Sequence, residues 1–161
     1  MSGQGFLPIR ALDATDDISS FCSGTNDNDS WLKNRSKKAV KSNTARVYVL
    51  ETTDSRLVGY YSLSAHSVRR SNELPGSVRR NAPDPIPCTL LGQLAVDRSF
   101  QGAGAGARLL QDAIKRALGA SEVVASRALV VDAADDNADG FYRHFGFKSL
   151  SGERRLYIPL R

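Results

Sequence analysis

The chain has 161 residues and a formal net charge of +5, with 41% of its residues hydrophobic and 24% charged. This is the composition of an ordinary soluble globular protein, long enough for a core of its own, so a single domain over residues 1–161 is expected. No stretch approaches the roughly 20 apolar residues of a membrane span, while the positive balance leans toward a polyanionic partner.

The N-terminal stretch MSGQGFLPIRAL lacks a basic segment followed by an apolar one, and the expected location is the cytoplasm, with no membrane partner. Phe6–Leu12 reads as a first strand. TNDNDSWLKNRSKKAVK carries Asn26, Asp27 and Asp29 at its start and Lys37, Lys38 and Lys41 at its end, the charge order a helix dipole favours, with Trp31, Leu32, Ala39 and Val40 as its buried stripe. TARVYVLET and RLVGYYSLSA are β-rich runs joined at Thr53-Asp54-Ser55, a hairpin. Ser71–Pro87, with Pro83, Pro85 and Pro87 crowded near its end, reads as a loop with one helical turn at Ser77–Arg80. CTLLGQLAV is a buried strand. Ala103–Leu118 is a helix with Leu109, Leu110, Ala113, Ile114, Ala117 and Leu118 on one face, and a shorter helix is expected at Ser121–Ser126. ALVVDA is a central strand. Asp135 or Asp136 caps a helix through Phe145, which Gly146 ends. Arg154–Leu160 closes as a strand. The order is β-α-β-β-β-α-β-α-β, an α/β chain with a single mixed sheet flanked by helices. Cys22 and Cys88 stand far apart and read as buried small apolar residues, with no metal and no disulfide.

Gly102, Gly104 and Gly106 precede a good amphipathic helix although glycine weakens helices, so bare backbone is needed there. A P-loop would place Lys and Ser or Thr after its last glycine, where this chain has Ala107-Arg108. A dinucleotide fingerprint fits Gly102-x-Gly104-x-x-Ala107, with Asp132 as the ribose acid, but five residues separate the strand from Gly102 and little chain follows Asp132. A glycine-rich connection without a ligand is the bland alternative. In the remaining reading, N–H groups from Gln101 to Ala107 converge on a diphosphate at a helix N-terminus, where the dipole also favours anions.

Gln101-x-x-Gly104-x-Gly106, the strand LGQLAV and the later segment LVVDAADDNADGFYRHFGF together resemble the GCN5-related N-acetyltransferases (GNAT), whose pyrophosphate loop has the form Arg/Gln-x-x-Gly-x-Gly/Ala. The resemblance implies acetyl-CoA as co-substrate, no metal, and a mostly antiparallel sheet with a splayed central strand pair. In that pair the strand of Leu94, Ala95 and Val96 parts from that of Val130 and Val131, and the pantetheine arm pairs in the gap. It implies cofactor contacts at Leu94, Ala95, Val96, Gln101, Gly102, Gly104, Ala105, Gly106, Ala107, Asn137 and Phe141. It places Tyr142 beside the thioester sulfur as the catalytic acid. On spacing alone, Phe141 and Phe145 share a helix face and read as core, with Tyr142 about 100° round. A phenol with a pKa of about 10 is protonated at neutral pH and can give its proton to a departing thiolate. His66, at a strand end, and His144, on a helix surface, read as structural, and no general base stands out. An α-amine, with a pKa of about 8, is partly neutral without one, which favours an α-amine acceptor over a Lys side chain.

Basic residues cluster: Lys33, Arg35, Lys37, Lys38 and Lys41 on the early helix, Arg69-Arg70 and Arg79-Arg80 flanking the proline-rich loop, and Arg154-Arg155 before the last strand. Each run alone reads as a solvated surface. Lys33, Lys37, Lys38, Lys41, Arg69, Arg70, Arg79 and Arg80 together make a candidate phosphate-binding surface. FCSGTNDNDSWLKNRSKKAVKSNTARVYVL, with its F-x-x-G…D-x-W-L opening, LLGQLAVDRSFQGAGAGARLLQDAIKRAL and ALVVDAADDNADGFYRHFGF look like the acetyltransferase toxins of bacterial type II toxin–antitoxin modules. That resemblance implies acetylation of the α-amino group of aminoacyl-tRNA, which blocks translation. It also implies neutralisation by a ribbon-helix-helix antitoxin, operator DNA bound through the toxin–antitoxin complex, and a homodimer. Gln93 stands where the family often has Arg, and is expected to pack or hydrogen-bond within the sheet. The alternatives are a GNAT enzyme for a small amine or a protein N-terminus, and a non-catalytic module binding nucleic acid or an antitoxin on this fold.

Overall fold

In the computed structural model, which describes residues 5–152 and 154–161, Pro8 cuts the first expected strand short. Leu7 N donates to Glu51 O and Leu12 N to Val47 O, with a bridge between Phe6 and Thr52, so the run lies along its neighbour; but proline offers no N–H, and only Arg10–Ala11 (β1) pairs as a strand. The start of the N-terminal reading, residues 1–4, lies outside the described residues. The chain gathers into two compact units, one made of residues up to Leu63 with Gln93–Ala113, the other of Ser64–Gly92 with Ile114–Arg161.

In the first unit the expected early helix is two helices, Asn26–Asn34 (α1) and Ser36–Lys41 (α2). The break has a chemical cause: the buried Ser36 hydroxyl donates to the Leu32 carbonyl four residues back, a bond that bends helices, and Arg35 leaves helical geometry at φ −127°. Arg46–Glu51 (β2) pairs antiparallel with β1 and with Leu57–Val68 (β3). The hairpin closes as expected, with Ser55 N donating to Thr52 O and Ser55 at φ +69°. The core here comprises Leu12, Ile18, Phe21, Leu32, Val47, Val49, Tyr60 and Ala95. Trp31 stacks on Tyr60 with ring centroids 6.1 Å apart, and Phe21 meets the same ring edge-on at 5.7 Å. Leu32 is fully buried, whereas Trp31, Ala39 and Val40 are only half-buried.

In the second unit Ile86–Val96 (β4), whose end belongs to the first unit, runs parallel to Ala128–Asp132 (β5). Arg155–Pro159 (β7) pairs antiparallel with β5 and with Lys148–Ser149 (β6), a two-residue exposed strand that carries no alternation to announce it. The proline-rich loop holds one short helix, Gly76–Arg79 (α3). Strand order is β1-β2-β3-β4 in the first unit and β3-β4-β5-β7-β6 in the second: a seven-stranded, mostly antiparallel sheet with one parallel pair. Val68, Leu74, Val78, Ile86, Cys88, Ala128, Val130, Leu150 and Tyr157 form the second unit's core. Cys88 is buried as expected, but Cys22 is exposed.

The glycine loop leads into Ala105–Ser121 (α4), where Leu109, Leu110, Ala113 and Ala117 are fully buried, Ile114 is half-buried and Leu118 is exposed. The second helix expected at Ser121–Ser126 is absent. The chain turns instead, and Val123 and Val124 stand 85% and 74% exposed, leaving no apolar face to hold a helix down. Asp136–His144 (α5) is capped by Asp135, whose carboxylate accepts from Ala138 N, and Gly146 at φ +97° ends it.

Gly59 is a tight point of the first unit. A Cβ there would lie 2.7 Å from the Ala95 carbonyl oxygen and 2.7 Å from Leu109 Cδ1. Gly59→Ala is expected to cost about 1–3 kcal/mol of stability, read as a lower urea midpoint at unchanged m-value, and a wild-type midpoint would refute this packing.

Candidate active site

After β4 the chain makes a short 3-10 turn, Arg98–Phe100, capped by Asp97, whose carboxylate accepts from Ser99 N. Gly102 and Gly104 follow at φ +84° and +82°, a region where a side chain strains the backbone. A Cβ built at either would meet nothing within 4 Å, so conformation, not crowding, demands glycine there, and the space in front of the loop is open. Arg108 N donates to Gly104 O, the first turn-closing bond of α4. The N–H groups of Ala105, Gly106 and Ala107 therefore have no acceptor inside their own helix, and they sit at the positive end of a 17-residue dipole. Such a turn fits a diphosphate.

The Gln101 side chain is anchored within the protein. Its side-chain amide donates to Ser23 O at 2.8 Å and to Val96 O at 3.0 Å, which ties the loop to its own unit instead of pointing the amide outward. Leu94, Ala95 and Val96 form the end of β4; Ala95 is buried in the core, and its neighbours are half-buried. The β4–β5 ladder joins Thr89, Leu90 and Leu91 to Leu129, Val130 and Val131, and β4 continues five residues past it. Gln93 does not bond within the sheet: its Oε1 accepts from Asn28 Nδ2 of α1 at 2.9 Å, while Tyr60 Oη donates to the Asn28 carbonyl.

Asn137, Phe141 and Tyr142 lie on α5 in the second unit, with Asn137 exposed in the first turn. The expected division among the aromatics is reversed. Tyr142 is the buried one, at 6% exposure, and Phe141 and Phe145 are half-buried. Tyr142 packs against Phe141 and Phe147, with centroids 5.3 and 5.4 Å away. Capping explains the reversal: Gly146 folds the chain back, Phe147 N donates to Tyr142 O, and Phe147 enters the core beside the phenol. Burial raises the Tyr142 phenol well above its ordinary pKa, so it stays protonated throughout the physiological range. His66 lies inside β3, not at its end. Its Nε2 is buried without a partner, and burial together with the charge of Arg155 lowers its pKa, against a smaller opposing pull from Asp132. His144 is exposed, edge-on to Phe145.

The candidate phosphate-binding residues divide between the units. Lys33, Lys38 and Lys41 are exposed on α1 and α2, while Lys37 is half-buried and donates to the Asp16 carbonyl. Arg69, Arg70 and Arg80 are exposed, and Arg79 is half-buried. Two of these also brace their own loop: Arg79 Nε donates to Leu74 O and Arg70 Nε to Arg79 O. Arg155 is held by Asp132 through two bonds of 2.7 and 2.9 Å, and Arg154 pairs with Asp136. Among the described residues no group of three or more His, Cys, Asp or Glu side chains is placed to hold a metal ion, and no helix is long and apolar enough to cross a membrane.

The profile of the Acetyltransferase (GNAT) family matches residues 12–147. A tRNA-acetylating toxin of Mycobacterium tuberculosis (strain ATCC 25618 / H37Rv) is 42% identical over 156 residues, covering 97% of this chain and 92% of that one. Among solved structures, AtaT complexed with acetyl-methionyl-tRNAfMet matches with a TM-score of 0.86 at 31% identity, over 96% of this chain and 95% of that one. AtaTR bound with AcCoA matches at 0.83 and 32%, over 96% and 94%. The AtaT–AtaR complex bound to DNA matches at 0.77 and 32%, over 96% and 95%.

The depressed pKa of His66 has a defined sign. A histidine favoured neutral in the folded state contributes stability that is complete above its unfolded pKa of about 6.5 and is lost as pH falls below it toward the folded value. An NMR titration of the imidazole is expected to show a midpoint below 6.5, with stability declining on the acid side, less steeply in His66→Gln. A midpoint at or above 6.5 would refute the burial assigned to this ring.

Proposed function

The chain belongs to the GNAT acetyltransferase family, and from that premise we propose that it moves the acetyl group of acetyl-CoA to the α-amino group of aminoacyl-tRNA and thereby acts as a toxin that blocks translation. The observation that carries this reading is the likeness to a tRNA-acetylating toxin over nearly the full length of both chains. The two units are read as parts of one acetyltransferase domain, since the family profile runs through both.

The open turn at Gly102–Gly104 and the unpaired amides that follow fit the diphosphate of acetyl-CoA. When bound, acetyl-CoA supplies an acetyl group activated as a thioester. Ala105, Gly106 and Ala107 hold the diphosphate by their N–H groups, and Gly102 and Gly104 keep Cβ atoms out of its way. Leu94, Ala95 and Val96 offer backbone to the pantetheine arm, with Asn137 and Phe141 as further contacts. Tyr142 gives its phenolic proton to the thiolate as the C–S bond breaks and the N–C bond to the acceptor amine forms. The proton lost by that amine passes to solvent, because an α-amine is already partly neutral near pH 8.

Lys33, Lys37, Lys38, Lys41, Arg69, Arg70, Arg79 and Arg80 serve as the tRNA footprint. Phosphate contacts of this kind weaken steeply with salt. A ribbon-helix-helix antitoxin neutralises the enzyme, the complex binds operator DNA, and the toxin pairs as a homodimer in the cytoplasm. The AtaT–AtaR complex bound to DNA supports the antitoxin and DNA parts of this reading.

Labelled acetyl-CoA offered with total charged tRNA, polyamines and peptides tests the proposal. Label is expected in the tRNA fraction and is expected to fall at least 100-fold in Tyr142→Phe, with acetyl-CoA affinity within about twofold of wild type. Reversing the charge of Lys33, Lys38 and Lys41 together is expected to abolish tRNA labelling and leave acetyl-CoA binding intact. Label on polyamines or peptides but not on tRNA would overturn the acceptor, and full turnover in Tyr142→Phe would remove the acid.

A further inference from the structure

The F-x-x-G…D-x-W-L segment has a physical role that its sequence does not announce. Phe21 is buried at 1% exposure, and Trp31 and Leu32 close the same core from α1. The segment between them, Cys22–Thr25, is an irregular strap in which Ser23 is buried while Cys22, Gly24 and Thr25 are exposed, and several of its backbone groups are held by named partners. Asp29 accepts from Ser23 N at 3.0 and 3.1 Å through its two oxygens, and from the Ser23 hydroxyl at 2.7 Å. The same hydroxyl accepts from Thr25 N. The Ser23 carbonyl then accepts from the Gln101 side chain at 2.8 Å. One residue earlier, Cys22 N donates to the Asp97 carboxylate and Cys22 O accepts from Arg98 N. Gly24 sits at φ +95°, where a Cβ would come 3.1 Å from Arg98 Nε.

We propose that Asp29 is a positioning residue for coenzyme binding: it holds Ser23, and through the Ser23 carbonyl it fixes Gln101 and the loop whose amides receive the diphosphate. The proposal rests on the acetyl-CoA reading above. Gln101 adjoins Gly102, the first residue of that loop with positive φ, so its side-chain anchor sets where the turn begins. Both anchors of Gln101, Ser23 O and Val96 O, belong to the same unit as the loop. The Asp29 carboxylate holds Ser23 through its hydroxyl and through one backbone N–H shared between the two oxygens, bonds to an ionised acceptor and so of the stronger kind. Removing the carboxylate frees Ser23 to move, and Gln101 with it. A loop that must be ordered by its ligand binds that ligand more weakly than one already in place.

Isothermal calorimetry with acetyl-CoA, together with steady-state kinetics on charged tRNA, tests this. Asp29→Ala and Gln101→Ala are each expected to weaken acetyl-CoA binding about tenfold, the size of one lost hydrogen bond to a charged or loop-anchoring group. Combined, they are expected to weaken it no more than about twofold beyond either alone, because both act through Ser23. The KM for acetyl-CoA rises and the KM for tRNA stays within about twofold. Asp29→Asn, which keeps one acceptor oxygen, is expected to recover part of the loss, and Asp27→Asn, the same charge change on the same helix, none of whose bonds reach the strap, serves as the control. Should Asp29→Ala fail to fold, Asp29→Asn and Gln101→Ala carry the test. Wild-type protein that does not bind acetyl-CoA sinks the proposed function. Wild-type binding with undiminished affinity in Asp29→Asn and Gln101→Ala, or fully additive losses in the pair, overturns the positioning role alone.

Discussion

An α-helix begins with amides that nothing in the helix can satisfy. In α4 those amides belong to Ala105, which is buried, and to Gly106 and Ala107, which are half-buried, and among the described residues no side chain of the loop is bonded to them. Two glycines with positive φ turn the backbone in front of them. The Asp97 carboxylate is occupied by Ser99 N and Cys22 N. Gln101, the nearest polar side chain on the N-terminal side, is drawn back to two carbonyl oxygens. The helix behind is anchored by Leu109, Leu110, Ala113 and Ala117, all fully buried, so the amides are presented from a fixed base.

In the second unit burial sets the state of the proposed acid. Tyr142 is enclosed by Phe141 and Phe147, and desolvation keeps its phenol protonated. Several cations of the same unit are engaged. Arg79, Arg70 and Arg127 donate to loop carbonyls around α3, and Arg155 is clamped by Asp132. The lysines of α1 and α2 are freer, Lys37 excepted, which makes that face the better candidate for binding a polyanion.

Elements with a strong period were legible in the sequence. The amphipathic run from Leu109 to Ala117, the apolar strand Ala128–Val131, and the Asp135 cap with its Gly146 stop each follow from local chemistry. The need for bare backbone at the glycine loop was legible too, since Gly102 and Gly104 take positive φ there, whereas Gly106 falls inside α4. What escaped depended on contacts distant in sequence or on single atoms. The Ser36 hydroxyl that splits the early helix looks like any other serine in a string. Tyr142 and Phe141 could not be sorted by helical angle alone, because the chain reversal at Gly146 decides which of them meets the core. The tie from Asp29 to Ser23 to Gln101 reaches across 78 positions and has no periodic signature, although Ser23 and Asp29 sit in a segment whose spacing already looked distinctive.

The central claim is that these amides grip the coenzyme's diphosphate. Titrating acetyl-CoA into 15N-labelled protein and following each backbone amide tests it most directly. The account predicts that the resonances of Gly104, Ala105, Gly106 and Ala107 move most, in step with saturation. Saturable binding that leaves those four resonances in place would contradict it.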